Sequence, residues 1–276
     1  MSTTGRPPYP PERHLMRDLR FVTTVPPDEP STTIPLVPEL CGPSGHVTAG
    51  ALATLVDIAG AGLALRSADP DWVATADLSL HRAAKFTGPD LVARPRIVRA
   101  GTGLIVVECD LYDAPVPTSP APKAIGLMTF SRIPGRASRL TRDSAGAPVR
   151  QSLILPDSGF RAPFAEACGI VDIGPGLVGL EVAPYVGNSF GAINGGVVAT
   201  LLSAAAESAA RGDLGAAHVV TSDLEVRYLA QCRQGTVTAT ATLLGHSGPG
   251  RTCRVELTDD ATGQLLALAV ARADEV

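Results

Sequence analysis

Asn188, Asn194, Gly195 and Gly196 stand at the head of a long uncharged run, NSFGAINGGVVATLLSAAAE, which closes at Glu207. Polar and glycine residues that feed into helix formers leave the first N–H groups of the helix unpaired and pointing outward. Together with the positive end of the helix dipole, such groups suit an anion or the polarised oxygen of a carbonyl. The glycines, Gly191 among them, let a ligand approach backbone that a Cβ would shield. Taken alone, a Gly-Gly pair before a helix is more often a tight turn than a site.

A second copy of the same layout changes that balance. GPSGHVTAGALATLVDIAGA, from Gly42 to Ala61, places Gly45 where Gly191 stands and Gly50 where Gly196 stands. Ala53, Thr54 and Leu55 match Ala199, Thr200 and Leu201, and TADLSLH from Thr75 answers TSDLEVR from Thr221. Leu111 and Asp113 answer Leu257 and Asp259 at the same separation, so no gap is needed from Gly42 to Asp113. The chain is an internal duplication, and its 276 residues suit two units of ordinary size.

A net charge of −4, with basic residues scattered rather than clustered, argues against a nucleic-acid surface. The five cysteines are an odd number and form no CxxC, so no zinc knuckle or disulfide framework is expected. His81, His218 and His246 have no carboxylate or cysteine at metal-ligand spacing, and no metal is expected. Prolines near the N-terminus occupy the place of a signal peptide's apolar core, which favours a cytoplasmic setting. Ala49 to Leu65 approaches the length of a membrane span, but Asp57 in its middle and its Ala and Gly content point instead to a helix wrapped by protein.

Residues 1–13 read as a polar, proline-rich disordered tail. A first unit is expected over residues 14–133, a linker over 134–151 and a second unit over 152–276. Thr32 to Val37 reads as a short strand that Pro35 forces to an edge or a bulge. Ala114 to Pro122, with four prolines, reads as a long hairpin loop. Each unit then has one long helix followed by alternating strands. That helix has no polar face, so the antiparallel strands must curl around it.

One long helix inside a curled antiparallel sheet is the hotdog fold. The loop N-x-x-G-x-x-N-G-G from Asn188 resembles the N-x-x-G-x-x-H-G-G loop of hotdog acyl-CoA thioesterases of the phenylacetyl-CoA thioesterase type, with Asn194 in place of the histidine. The similarity extends over most of both halves, including FAEACGIVDIGPG from Phe164, so the whole chain resembles an α+β double hotdog. The resemblance implies an active site between two units, one giving the loop and the other a helix carboxylate and a strand hydroxyl. Carried over, the carboxylate is Asp57 in the first half and Ser203 in the second, and the hydroxyl is Thr75 or Thr221. The loop asparagine is Gly42 or Asn188, and the histidine position is Thr48 or Asn194.

The losses are complementary. One pairing unites Asp57, Thr75, Asn188, Asn194 and Gly195; the other unites Gly42, Thr48, Ala49, Ser203 and Thr221, with neither carboxylate nor loop amide. One working site and one relic are expected, with Asp57 as general base or nucleophile and the Gly195 N–H as oxyanion donor. Apolar neighbours Val56 and Ile58 should desolvate Asp57 and raise its pKa. Glu207, one turn beyond Ser203, and His46, beside Thr48, are weaker candidates for reviving the second site. Asp77 and Asp223 occur in both halves and should have a structural task, whereas Arg82, Lys85, Arg227 and Arg233 could meet phosphates.

The expected activity is therefore hydrolysis of an acyl-CoA thioester. It needs no cofactor beyond the coenzyme A of the substrate, and a dimer of chains is the expected assembly. A non-catalytic acyl-CoA-binding or scaffold protein is the alternative. An enoyl-CoA hydratase or dehydratase would show a D-x-N-x-x-H loop, which the sequence lacks.

Overall fold

The structure, a computed structural model, describes residues 9–25, 29–116, 121–135, 149–244 and 248–276. The first half opens with a short helix, α1 (Leu15–Asp18), and two strands, β1 (Val22–Val25) and β2 (Ser31–Pro35). The long helix α2 (Ala49–Ala68) follows, then β3 (Trp72–Arg82), β4 (Asp90–Ala100), β5 (Leu104–Asp113) and β6 (Ala124–Ile133). After β7 (Val149–Ser152) the plan repeats with α3 (Phe164–Ala167), β8 (Ile170–Gly174) and β9 (Leu177–Glu181). The second long helix is α4 (Gly195–Leu214), followed by β10 (Val219–Tyr228), β11 (Thr236–Leu243), β12 (Gly250–Asp259) and β13 (Leu265–Glu275).

All thirteen strands join one antiparallel sheet in the order β7-β1-β2-β4-β5-β6-β3-β10-β13-β12-β11-β9-β8. β2 to β6 curl over α2, and β9 to β13 curl over α4, so each half is one helix in its own wrap of sheet. This is the double hotdog. The halves meet along β3 and β10, where His81 Nδ1 lies 2.9 Å from Asp223 Oδ1 and Arg227 Nε lies 3.3 Å from Asp77 Oδ1. Asp77 and Asp223 thus bridge the seam between the halves. Half-exposed pairs of this kind add little stability but favour one register.

α2 is long and apolar enough to cross a membrane by length and composition, yet it is the core helix of the first half. Leu52, Leu55, Val56 and Ala64 are fully buried. The two long helices cross through small residues. A Cβ on Gly50 would fall 2.3 Å from Thr200 Oγ1, and one on Gly196 would fall 2.2 Å from Thr54 Oγ1. Each threonine hydroxyl donates back along its own helix, Thr54 to the Gly50 carbonyl and Thr200 to the Gly196 carbonyl, both at 2.7 Å. This reciprocal contact carries the duplication into three dimensions and sets the start of α4 against the middle of α2.

Three details depart from the sequence reading. β2 lies between β1 and β4 rather than at an edge; Pro35 is its last residue, opposite Asp90, where no further ladder bond is asked of its nitrogen. Residues 9–13, read as tail, are tied down: Arg17 donates to the carbonyls of Pro10 and Pro11, and the Tyr9 ring stacks edge-on against His14. His14 in turn is buried and bonds the Gly187 carbonyl of the second half at 2.8 Å. The linker reading also ends in ordered strand, since β7 pairs with β1. Residues 1–8 of the tail, 136–148 of the linker, 117–120 of the hairpin loop and His246 lie outside the described residues.

Candidate active site

Asp57 stands in the middle of α2, where apolar neighbours leave it only 8% exposed. The turn after α2 brings β3 back alongside, with a register irregularity between Thr75 and Asp77, and Thr75 Oγ1 donates to Asp57 Oδ1 at 2.8 Å. Burial raises the Asp57 carboxyl to about 6, and the Thr75 bond pulls the other way. The other carboxylate oxygen faces the second half. A Cβ on Gly195 would stand 3.1 Å from Asp57 Oδ2, so glycine permits the close approach of α4 to the carboxylate.

The first turn of α4 has its donors allotted. Asn194 is the N-cap: its Oδ1 accepts from the Gly196 N–H at 2.9 Å, and its carbonyl accepts from Val197 and Val198 at 3.0 and 3.1 Å. The Gly195 N–H is the first-turn donor that this cap leaves over, at the positive end of a 20-residue helix. Asn188 spends its amide on the loop. Its Oδ1 accepts from Phe190 and Ala192 at 2.9 and 3.0 Å, and its Nδ2 donates to the Ile193 carbonyl at 3.3 Å. Gly191, at φ 77°, takes the left-handed turn that this loop requires.

Asp57, Thr75, Asn188, Asn194 and Gly195 therefore line one cavity of about 330 Å³. The structure brings all five together but separates their tasks. Asp57, Thr75 and the Gly195 backbone face one another, whereas the two asparagine side chains fold the loop and cap the helix. Ile58, Leu65, Phe130 and a T-shaped pair, Trp72 and Phe190 at 6.0 Å, give the cavity its apolar walls.

Sequence reasoning missed Tyr228. Its hydroxyl donates to the Gly195 carbonyl at 2.9 Å, and burial beside Asp57 holds its phenol neutral, with a pKa well above the usual value. A signal was present: at the matching place in the first half stands Arg82, a break in the repeat of the same kind as Asp57 against Ser203. Tyr9 and Met16, from the segment before β1, line the cavity too and carried no sequence signal.

The opposite cleft is small, about 70 Å³, with Gly42, His46, Thr48 and Glu207 on its walls. Ser203 turns its hydroxyl onto the Thr200 carbonyl at 3.1 Å. Glu207 accepts from the Thr221 N–H at 2.8 Å, and His46 bonds the Ser44 hydroxyl at 3.1 Å. Arg82 donates to the Val47 carbonyl at 2.6 Å. Among the described residues no group of three His, Cys, Asp or Glu side chains could hold a metal ion.

Comparison with known proteins agrees with this architecture. The family model described as thioesterase superfamily matches residues 44–119 and again 190–265, two segments displaced by the same number of residues as Asp57 and Ser203. The chain belongs to the thioesterase superfamily. No match was found among curated proteins. Among solved structures, a Thermobifida fusca protein assigned as a thioesterase II is 16% identical with a TM-score of 0.59, covering 91% of this chain and 94% of its own. A Lactobacillus plantarum protein assigned as an oleoyl thioesterase is 13% identical, TM-score 0.60, covering 95% and 99%. An acyl-CoA thioesterase II from Mycobacterium marinum is 12% identical, TM-score 0.55, covering 88% and 92%. At these identities the likeness is one of fold, and it extends over 88–95% of this chain, both halves included.

Proposed function

We propose that the protein hydrolyses acyl-CoA thioesters at a single composite site between its halves. The observation that carries this reading is the buried Asp57 carboxylate, held by Thr75 and set against the first residue of α4. A carboxylate taken out of water at this cost is hard to account for by packing alone. With its pKa raised to about 6, Asp57 is a stronger base than an exposed aspartate and remains ionised near neutral pH.

In this reading the thioester carbonyl lies against the Gly195 N–H. Asp57 removes a proton from a water molecule, whose oxygen attacks the carbonyl carbon, and the negative charge gathers on the oxygen facing Gly195. One such donor is typically worth about 10²–10³ in rate. The C–S bond then breaks, and the proton on Asp57 passes to the departing thiolate. Thr75 orients the carboxylate through Oδ1, leaving Oδ2 toward the substrate. Tyr228 fixes the Gly195 peptide through its carbonyl. Asn188 and Asn194 act one step back, on the loop and the cap.

In the opposite cleft Ser203 stands in place of Asp57 and is bonded within its helix, the Glu207 carboxylate one turn on is engaged by the Thr221 N–H, and Ala49 stands where Gly195 would. The test is thiol release from a panel of acyl-CoAs of varied length and aromaticity, with Ser203→Ala as the control. Turnover of at least one acyl-CoA, indifferent to Ser203→Ala, supports the reading. Binding without turnover across the panel would make the protein a non-catalytic acyl-CoA binder instead.

A further inference from the structure

The chemistry proposed above uses one part of the cavity. Elsewhere on its wall, polar side chains from three neighbouring strands form a row. Gln151 of β7 stands directly opposite Thr23 of β1, and Thr23 stands directly opposite Thr32 of β2. Residues directly opposite across antiparallel strands point to the same face, and all three line the cavity. Phe21, two residues before Thr23, lines it as well, as do Phe130 and the Ala61–Gly62 stretch of α2.

The hydrogen-bond inventory of this row is incomplete. Thr32 is only 1% exposed, and its hydroxyl lies 3.0 Å from that of Thr23. Two hydroxyls sharing one bond leave one hydrogen for a third group. The Gln151 amide has two hydrogens and an acceptor oxygen, and it bonds no group among the described residues. A site for a plain hydrocarbon chain would do better with valine at the threonine positions, because a half-satisfied buried hydroxyl is unfavourable. None of the three side chains is charged, which suits a neutral partner that donates, accepts or does both.

We infer that the acyl group this protein accepts carries a neutral hydrogen-bonding oxygen, a hydroxyl or keto group away from the thioester, which seats against Thr23, Thr32 and Gln151. The inference rests on the thioesterase reading for its reaction, and the row acts as a specificity determinant within the same cavity. The apolar walls take the carbon skeleton. The row accepts from, or donates to, the single oxygen that distinguishes this substrate from a simple fatty acyl-CoA. A site built to bond a substrate oxygen rejects the analogue lacking it far better than an apolar site rejects an added hydroxyl.

The test compares acyl-CoAs of equal chain length that are unsubstituted, hydroxylated, keto-substituted or terminated by a carboxylate. The readout is the ratio of kcat/KM values, oxygenated over unsubstituted, in the wild type and in Thr23→Val, Gln151→Leu and Thr23→Ser. The wild type should prefer a hydroxy- or keto-acyl-CoA by about tenfold or more. Thr23→Val and Gln151→Leu should each lower that ratio by about threefold to tenfold, the scale of one hydrogen bond. Thr23→Ser, which keeps the hydroxyl, should hold the ratio. Equal rates for oxygenated and unsubstituted chains overturn the inference, as does a preference that survives both substitutions. A preference for the carboxylate-terminated chain overturns it in favour of Arg66, the cation on the same cavity. If no acyl-CoA is hydrolysed, the thioesterase reading fails alone, and calorimetric affinities for the same set decide the inference by the same order.

Discussion

Replacing Asp57 by asparagine should harm the enzyme and stabilise the protein, and the two effects share one cause. Burial raises the Asp57 carboxyl from 3.8 to about 6 in the folded chain. Between those values the folded state binds more protons than the unfolded state, so stability falls as pH rises through this window. Below it both states are protonated and nothing is lost. Above about 6 the penalty is complete, on the order of 3 kcal/mol. An asparagine has the same shape, can still accept from Thr75, and never ionises. Asp57→Asn should therefore match the wild type in urea denaturation near pH 4 and exceed it by about 1–3 kcal/mol at pH 8. Thiol release should fall by at least about a hundredfold, the scale of general-base loss. Wild-type activity should rise through about pH 6 as the carboxyl deprotonates. A variant that keeps a tenth of the activity, or a stability difference that does not change with pH, would refute the reasoning.

Three further outcomes follow from the geometry. Gly196→Ala drives a Cβ to within 2.6 Å of the Thr54 Cα, which is backbone and cannot step aside, so the melting temperature should drop by several degrees, reflecting about 1–3 kcal/mol; an unchanged melting curve would contradict the helix crossing. Tyr228→Phe removes the bond to the Gly195 carbonyl and should lower kcat about threefold to tenfold with the fold intact by circular dichroism. Gly62 lines the cavity, and a Cβ there would meet nothing within 4 Å, so Gly62→Leu should fold normally yet lower kcat/KM for long acyl chains more than for short ones; equal losses at all lengths would place the chain elsewhere.

The parts of this molecule that were legible in the sequence are those the duplication wrote twice. The loop–helix–strand spacing repeats without a gap, so the two long helices, their sheets and the offset between Asp57 and Ser203 could be read directly. Asp57 with Thr75 was legible only through the family resemblance, which pairs a helix carboxylate with a hydroxyl on the following strand; their hydrogen bond is what the structure adds. The tasks of Asn188 and Asn194 were not, since an asparagine beside a helix start can serve ligand or backbone, and only the bonds to Phe190, Ala192 and Gly196 decide. The segment from Tyr9 to Phe21 gave no period because its contacts are long-range, from His14 to Gly187, Arg17 to Leu153 and Asp18 to Tyr185. Pro35 misled for a related reason: a proline that ends a strand looks, in sequence, like one that confines it to an edge.

The central claim, one working site per chain built from both halves, is tested most directly by stoichiometry. A non-hydrolysable acyl-CoA analogue titrated by calorimetry into the purified chain should show about one strong site. Gly195→Val, which sends side-chain atoms into the space beside Asp57 Oδ2, should abolish it, whereas Ala49→Val in the opposite cleft should not. Two equal sites per chain, or one site that survives Gly195→Val and is lost with Ala49→Val, would contradict the account.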